Sequence, residues 1–264
     1  MRRALLNSSA LTAVSSIVFL LLLIVLVGPR GRGESRNQDA TAANAMQLVT
    51  QGRQIFRFDT FGDQAFWGDT LKLHRAIEGS ALGGVGPGVS PKTALAVGLK
   101  VDVDALPSNL LEQIVHGQIN LNDPAVTVQL LKLNAVVGVT GFFGSGGALT
   151  SVGIQCALCH STVDNSQPAL CAGVIQPNPG TGCIGHRLDG WSNRDLNVGA
   201  IIALAPDLSA IANLLNTTPA NVTAVLNSWG PGKFDAELIL DGKAFNPQQV
   251  TDGVVTGTHI PGAT

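Results

Sequence analysis

The sequence predicts a mainly α-helical domain with long loops, preceded by one N-terminal hydrophobic helix. Residues 4–29 carry no charge and contain an unbroken apolar run from Ile17 to Val27, which is typical of an export or membrane segment. Behind this run, several short segments combine helical spacing of apolar residues with helix-starting residues. The 31 glycines among 264 residues favour long connecting loops.

The hydrophobic segment at 1–29 predicts a signal peptide or a membrane anchor. Arg2 and Arg3 precede it, so they are expected in the cytoplasm and the rest of the chain outside the membrane. No small-x-small cleavage site follows Val27 closely, which favours a retained anchor, whereas the strictly apolar part also suits a cleaved peptide. We expect a protein that is periplasmic, secreted or tethered to the outer face of a bacterial inner membrane, where disulfides are permitted.

Behind this segment we expect a polar linker at 30–44, one domain at 45–246 and an irregular tail at 247–264. A hydrophobic fraction of 45% is ample for a core in a domain of this length. Only 13% of the residues are charged and the net charge is -2, so no basic surface indicates nucleic-acid binding.

Within the domain, helices are expected at 45–58, 63–77, 107–116, 123–137, 207–215 and 219–226. In the last of these, Thr218 is the expected cap and Pro219 takes the first helical position. Residues 99–104 alternate apolar and polar side chains like a short strand.

The most specific motif is Cys156-Ala157-Leu158-Cys159-His160. A Cys-x-x-Cys-His run behind an export segment is the pattern that receives a c-type haem. The two thiols add across the two vinyl groups of the porphyrin, and the adjacent His places its imidazole on the iron. The motif therefore predicts a cytochrome c-like helical haem domain with one covalent haem c on Cys156 and Cys159, and His160 as the proximal iron ligand.

Other interpretations of the two cysteines remain open: half of a zinc site, a thioredoxin-like redox pair or an ordinary disulfide. Further zinc ligands would have to come from Cys171, Cys183 and His186, which are scattered over a Pro/Gly-rich stretch. A redox pair normally starts a helix directly after a strand, whereas we predict a loop at 144–153. Cys171 and Cys183 are instead expected to close a small loop as a disulfide.

The group opposite His160 on the iron decides the function, because a strong sixth ligand makes an electron carrier and an open position permits small-molecule chemistry. His74 is the first candidate, since Trp67, Leu71 and His74 lie at helical spacing along an apolar stripe. Its alternative role is that of a core histidine. Met46 is the second candidate, with core filling as its alternative. The weaker candidates, each explained by an ordinary structural position, are His116, His186 and His259.

Arg187 and Arg194 are predicted to contact the haem propionates, because Arg pairs bidentately with carboxylates. Solvated arginines are the alternative. Trp191 and Trp229 are candidates for packing on the porphyrin, although core packing alone also explains them.

Three further segments carry a family resemblance. They are residues 54–74, which include QIFRFDTFGD, AFW and LKLH, residues 88–95 (GVSPKTAL) and residues 188–199 (LDGWSNRDLNVG). Together they resemble the N-terminal haem domain of large bacterial c-type cytochromes distantly akin to di-haem cytochrome c peroxidases, over roughly residues 45–246. The resemblance implies an exported electron-transfer protein and a haem-pocket role for His74. The chain has no second Cys-x-x-Cys-His motif, so a two-haem activity is not implied.

The sequence therefore predicts an exported mono-haem c-type cytochrome that passes single electrons between redox partner proteins. One alternative is a peroxidase-like enzyme with an open sixth position and a polar distal group such as His74 or Arg57. Another is a haem-based sensor or a partial subunit of a larger complex.

Overall fold

A computed structural model describes residues 31–174, 178, 181–233, 250–251 and 254–255. The described residues belong to two compact units, which divide between Arg53 and Gln54. The N-terminal hydrophobic helix predicted over 1–29 lies outside the described residues, as does most of the tail. Among the helices that are described, none is both long and apolar enough to cross a membrane.

The first described helix, α1 (Gly31–Phe58), contains the helix predicted at 45–58 and also gives helical backbone to residues 31–44 of the predicted linker. The helices that follow are α2 (Leu73–Glu78), α3 (Pro91–Ala96), α4 (Ser108–Val115), α5 (Pro124–Lys132), α6 (Ala157–His160), α7 (Val198–Ile202), α8 (Ser209–Leu214) and α9 (Pro219–Ser228). A π-helix spans Ala65–Thr70, and 3-10 turns span Ser80–Leu82, Val103–Ala105 and Pro168–Cys171.

Short strands pair two by two within the described residues. One ladder is parallel and the others are antiparallel. The pairs are β1 (Val101–Asp102) with β5 (Ile184–Gly185), β2 (Val139–Phe143) with β3 (Leu149–Ile154), β4 (Ser161–Val163) with β6 (Arg187–Asp189), and β7 (Val250–Thr251) with β8 (Val254–Val255).

The prediction of a mainly α, cytochrome c-like fold is wrong, because the strands β1 to β6 alternate with helices between Val101 and Asp189. The β2–β3 hairpin is the largest of them. Its two strands are rich in β-branched and aromatic residues and flank a glycine-rich turn at 144–147, which is a hairpin signal. The sequence prediction treated the turn and most of β3 as one loop, and so missed the hairpin.

Two predicted helices are shorter than expected. The helix predicted at 63–77 is interrupted at Lys72, whose φ of 54° lies in the left-handed region and separates the π-helix from α2. The helix predicted at 123–137 ends at Lys132, shortly before Asn134 turns left-handed at φ 52°. By contrast, Pro219 starts α9 as predicted, with the side chain of Thr218 accepting a hydrogen bond from the Asn221 N–H.

The hydrophobic core of the second unit contains side chains from the π-helix, from the hairpin and from α7 to α9. The predicted disulfide between Cys171 and Cys183 is confirmed, with Cα atoms 5.8 Å apart. Nearby, the side chains of Lys100 and Asp195 form an ion pair inside the core, where they are 1% and 2% exposed. The alternating pattern at 99–104 had predicted a longer strand, whereas only Val101–Asp102 pair as β1.

Candidate functional site

The Cys-x-x-Cys-His motif lies between two strands of different ladders. β3 ends at Ile154, Cys156 caps the single helical turn α6, and β4 begins at the residue after His160. Cys156 and His160 are exposed, Cys159 is half-buried, and both thiols are free. The three side chains are therefore available for bonding from one short, surface-lying turn.

Backbone contacts from two other segments fix this turn. The amide of Gly190 donates to the carbonyl of His160 at 2.8 Å, and the amide of Asn193 donates to the carbonyl of Cys159 at 2.9 Å. Below the turn, Gly138 has a φ of 83°, and its carbonyl accepts a hydrogen bond from the amide of Gln155. These bonds hold the motif's backbone although α6 is only four residues long.

The backbone of Gly138 lies close against that of the motif, and replacing Gly138 should disturb the motif strongly. A Cβ added at Gly138 would lie 2.1 Å from Cα of Leu158, inside the backbone of α6. We expect Gly138→Ala to lower the free energy of unfolding by about 2 kcal/mol or more, because left-handed strain adds to a backbone clash. Urea denaturation measures this loss.

The matched control is Gly190→Ala. Gly190 has nearly the same φ, 84°, but a Cβ there meets nothing within 4 Å. Gly190→Ala should lower the free energy of unfolding by about 1–2 kcal/mol, which is the left-handed strain without a clash. Equal losses in the two variants would contradict the role assigned to the close approach at Gly138.

A cleft of about 570 Å³ opens beside the motif. This volume falls in the range of cofactor and ligand pockets, about 300–1,000 Å³. Cys156, Cys159 and His160 line one wall, and apolar side chains dominate the rest. The apolar lining consists of Phe66, Trp67, Ile154, Leu158, Val198, Ile201 and Ile202. A flat, mostly apolar macrocycle held by two thiols and one imidazole suits this lining in chemistry and in volume.

Two polar side chains interrupt the apolar lining, namely Asp63 and Gln155. The Asp63 carboxylate accepts hydrogen bonds from the Trp67 indole N–H at 3.0 Å and from the Ile154 amide at 3.1 Å. Burial raises the pKa of Asp63, and these hydrogen bonds offset only part of that effect. Asp63 is therefore the carboxyl group in the described lining that can hold or release a proton.

Gln155 is 4% exposed and directly precedes Cys156. Its Nε2 donates to Oγ1 of Thr140 at 2.6 Å, and the Thr140 hydroxyl donates onward to the carbonyl of Phe58 at 3.4 Å. The Thr140 hydroxyl gives its only proton to Phe58, so it can only accept from Gln155. The side-chain amide of Gln155 must therefore point its NH₂ group toward Thr140. The Gln155 Oε1 atom is left without a hydrogen-bond partner among the described residues.

The described residues give different degrees of support to a zinc site and to a redox pair at Cys156 and Cys159. Zinc has no supporting ligand set, because Cys171 and Cys183 are bonded to each other and no group of three metal-binding side chains occurs among the described residues. The expected loop before Cys156 is wrong, since β3 leads into the turn, and strand followed by Cys-x-x-Cys is the arrangement of a redox pair. Burial, and secondarily the Cys156 thiol, raises the pKa of Cys159, so Cys159 is not the attacking thiol of such a pair.

The candidate sixth ligands do not line the described cleft. His74 lies on α2, half-buried, with Nδ1 unpartnered among the described residues. Burial lowers the pKa of His74, and the charge of Glu78 offsets part of this effect. Met46, in the first unit, has a side chain that is 68% exposed.

The weaker candidates are exposed or undescribed. His116 is exposed at the end of α4, and His186 is exposed with its Nδ1 2.8 Å from a carboxylate oxygen of Asp104. His259 lies outside the described residues. Ligation by any of the candidates, including His74, stays a prediction.

The two predicted propionate contacts lie in different surroundings. Arg187 belongs to β6 and its side chain is 2% exposed, whereas Arg194 is exposed and lines a separate open depression with Asn178. Trp229 is buried in the core, whereas Trp191 is 66% exposed. Trp191 lies two residues before Asn193, whose amide donates a hydrogen bond to the carbonyl of Cys159.

The sequence analysis missed Asp63, Gln155 and Gly138. Asp63 stands four residues before Trp67, the spacing at which a carboxylate reaches an indole on one helical face, and this signal was available. Gln155 and Gly138 carry no comparable signal, because their roles depend on how the hairpin places them.

No protein-family profile, curated protein or solved structure matches the chain. The family resemblance therefore stays a prediction.

Proposed function

We propose that this chain carries one covalent haem c, with Cys156 and Cys159 as attachment residues and His160 as the proximal ligand, and that it transfers single electrons. The observation that carries the proposal is the common wall of the cleft: two free thiols and one imidazole face an apolar volume of about 570 Å³. Haem c would supply an iron that gains or loses one electron.

The chain's own residues would perform three tasks. Each thiol would add across one vinyl group, so that sulfur bonds to one vinyl carbon and the thiol proton goes to the other. The apolar side chains of the cleft would exclude water from one face, which stabilises a flat apolar group by burial. The exposed positions of Cys156 and His160 would leave an edge at the surface, where redox partner proteins can approach.

The proposal also includes a cellular location and a family kinship. We propose an exported protein on the outer side of a bacterial inner membrane, because c-type attachment motifs and disulfides both belong to that compartment. The Cys171–Cys183 disulfide is consistent with it. We also propose kinship with the N-terminal haem domain of the large c-type cytochromes named above, on the segments that resemble it.

A second candidate is a peroxidase-like enzyme or a sensor with an open sixth position. One observation favours it: within the described cleft lining, His160 is the only His or Met side chain. Asp63 would then be the group able to move a proton beside a small bound molecule. Electron transfer remains the first proposal because it needs only the attached cofactor and an accessible edge.

Absorption spectra of the protein from a haem-attaching periplasm test both candidates. We expect a covalent haem that is reduced and reoxidised reversibly. The spectrum of His74→Ala tests the predicted sixth ligand: a spectrum that matches the wild type would exclude His74, which does not line the described cleft. A low-spin wild type that becomes high-spin in His74→Ala would instead assign His74 as the sixth ligand.

The spin state then separates the two candidates. A high-spin wild-type spectrum that changes with carbon monoxide or peroxide would favour the enzyme or sensor. A spectrum insensitive to both would favour the electron carrier. Absence of covalent haem would refute the proposal and favour the interpretation of Cys156 and Cys159 as a dithiol redox pair.

A further inference from the structure

Arg187 carries a buried positive charge that the described residues do not fully pair. Its side chain is 2% exposed, and Nη2 has no hydrogen-bond partner among the described residues. Nε lies 3.1 Å from Oδ1 of Asp189, an ion-pair contact without good hydrogen-bond geometry. A buried guanidinium normally pairs fully, because unpaired buried charge is costly.

Asp189 cannot neutralise this charge alone, because it already serves another arginine. Nε of Arg57 donates to Oδ2 of Asp189 at 2.7 Å, and the hydroxyl of Ser161 donates to Oδ1 at 2.9 Å. Two guanidinium groups therefore share one carboxylate whose oxygens are both occupied.

Asp102 is the other carboxyl group whose charge acts on Arg187. It is buried at 6% exposure, and one of its oxygens accepts from the amide of Asp104. Burial raises the pKa of Asp102, so the environment works against its charged form. Neither Asp189 nor Asp102 accepts a hydrogen bond from Nη2 of Arg187, so this buried donor remains available to a further acceptor.

The β4–β6 ladder connects this cluster to the motif. Ser161 directly follows His160 and pairs with Asp189, and Val163 pairs with Arg187. The amide of Gly190, next to Asp189, donates to the carbonyl of His160. Arg187 is therefore held in register with the residues that follow His160, and Arg57 joins it through their shared partner Asp189.

We propose that Arg57 and Arg187 form a carboxylate-binding site and that its occupant is a carboxylate group of the tetrapyrrole attached at Cys156 and Cys159. The assignment of the occupant rests on the proposed function, whereas the anion site itself does not. Planar guanidinium groups bind carboxylates bidentately, which matches the unpaired Nη2 of Arg187. Arg194, exposed at a separate depression, has no part in this site.

The test uses the full chain with Cys156→Ala and Cys159→Ala, so that tetrapyrrole binding is non-covalent and measurable by absorption titration. Iron protoporphyrin and its dimethyl ester, in which both carboxylates are blocked, serve as probes. We expect the free acid to bind about tenfold or more tightly than the ester, the preference expected from a charge-assisted pair. Arg187→Gln should remove this preference, and Arg194→Gln should leave it intact.

Arg57→Gln is the second test variant, because its side chain is 24% exposed and the substitution is easier to accommodate than one at the buried Arg187. It should reduce the preference as well. Circular dichroism checks that each variant is folded. Equal affinity for acid and ester in the parent chain would overturn the tetrapyrrole as the occupant.

Succinate carries carboxylates but no porphyrin ring, so it tests the anion site independently of the haem proposal. If neither porphyrin binds but succinate raises the melting temperature of the parent and not that of Arg57→Gln or Arg187→Gln, the anion site stands and the haem proposal fails. If succinate has no effect and the acid has no advantage over the ester, the anion site itself is refuted.

Discussion

Replacing both Cys156 and Cys159 with Ala should leave a protein that carries no covalent haem. Both attachment bonds would be lost, although the cleft and His160 would remain, so any residual binding would be reversible. In a denaturing gel stained for haem peroxidase activity, the wild-type band should stain and the double variant should not. Single variants should keep one thioether bond and therefore stain weakly.

The matched control is the double variant Cys171→Ser and Cys183→Ser. It removes two cysteines as well, but these form the disulfide and do not line the cleft. Opening this loop should lower the free energy of unfolding by about 3 kcal/mol, while haem staining per folded molecule stays unchanged. Staining that depends on Cys171 and Cys183, or that persists without Cys156 and Cys159, would contradict the assignment.

If the wild type also fails to stain, the thiol interpretation gains weight. Cys156 would then be the attacking thiol, because it is exposed and Cys159 is half-buried with a raised pKa. Alkylation of the two cysteines at controlled redox potential would measure their disulfide equilibrium directly. One set of variants therefore distinguishes a haem attachment site from a dithiol site.

The sequence predicted local features better than their assembly. Caps and prolines located α4 and α9, and the spacing of Cys171 and Cys183 gave the disulfide, because each of these signals acts within a short stretch of chain. The break at Lys72 escaped prediction, since lysine carries no local signal for the left-handed conformation.

The site was predicted in part for the same reason. The proposed attachment residues Cys156 and Cys159 and the proposed ligand His160 form one contiguous motif, so the sequence could suggest them together. The cleft opposite them is built from the π-helix, β3 and α7, which are far apart in sequence. Periodicity placed Trp67 and His74 on one apolar stripe, but it could not show that Trp67 lines the cleft together with Asp63.

Lys100 is a further residue whose environment the sequence did not indicate. The alternation at 99–104 is typical of a strand with one exposed face, yet Lys100 is 1% exposed. Its ammonium donates to a carboxylate oxygen of Asp195 and to the carbonyl of Gly182 at 2.7 Å. It therefore links β1 to the disulfide-bonded loop.

Lys100→Met should destabilise the protein by about 3–5 kcal/mol, because Asp195 would keep a buried charge without its cation. Urea denaturation at neutral pH measures this loss. Lys100→Met combined with Asp195→Asn should recover much of it, since the uncompensated charge is then gone. Asp104→Asn is the surface control: it breaks the exposed contact with His186 and should change stability by less than about 0.5 kcal/mol.

The same pair gives a pH dependence with a defined sign. Burial by itself would raise the pKa of Asp195, but hydrogen bonds from Lys100, Thr181 and Asn178 outweigh it, so the folded pKa lies below the usual value. The stabilisation from Asp195 is therefore complete above the unfolded carboxyl pKa of about 3.9, and it is lost as pH falls through the lower folded pKa. Unfolding free energies measured from pH 7 down to pH 2 should show a smaller acid-induced loss in the combined Lys100→Met and Asp195→Asn variant than in the wild type. Parallel curves for the two proteins would show that Asp195 is not a source of the acid sensitivity, and that the ion pair does not couple β1 to the loop through charge.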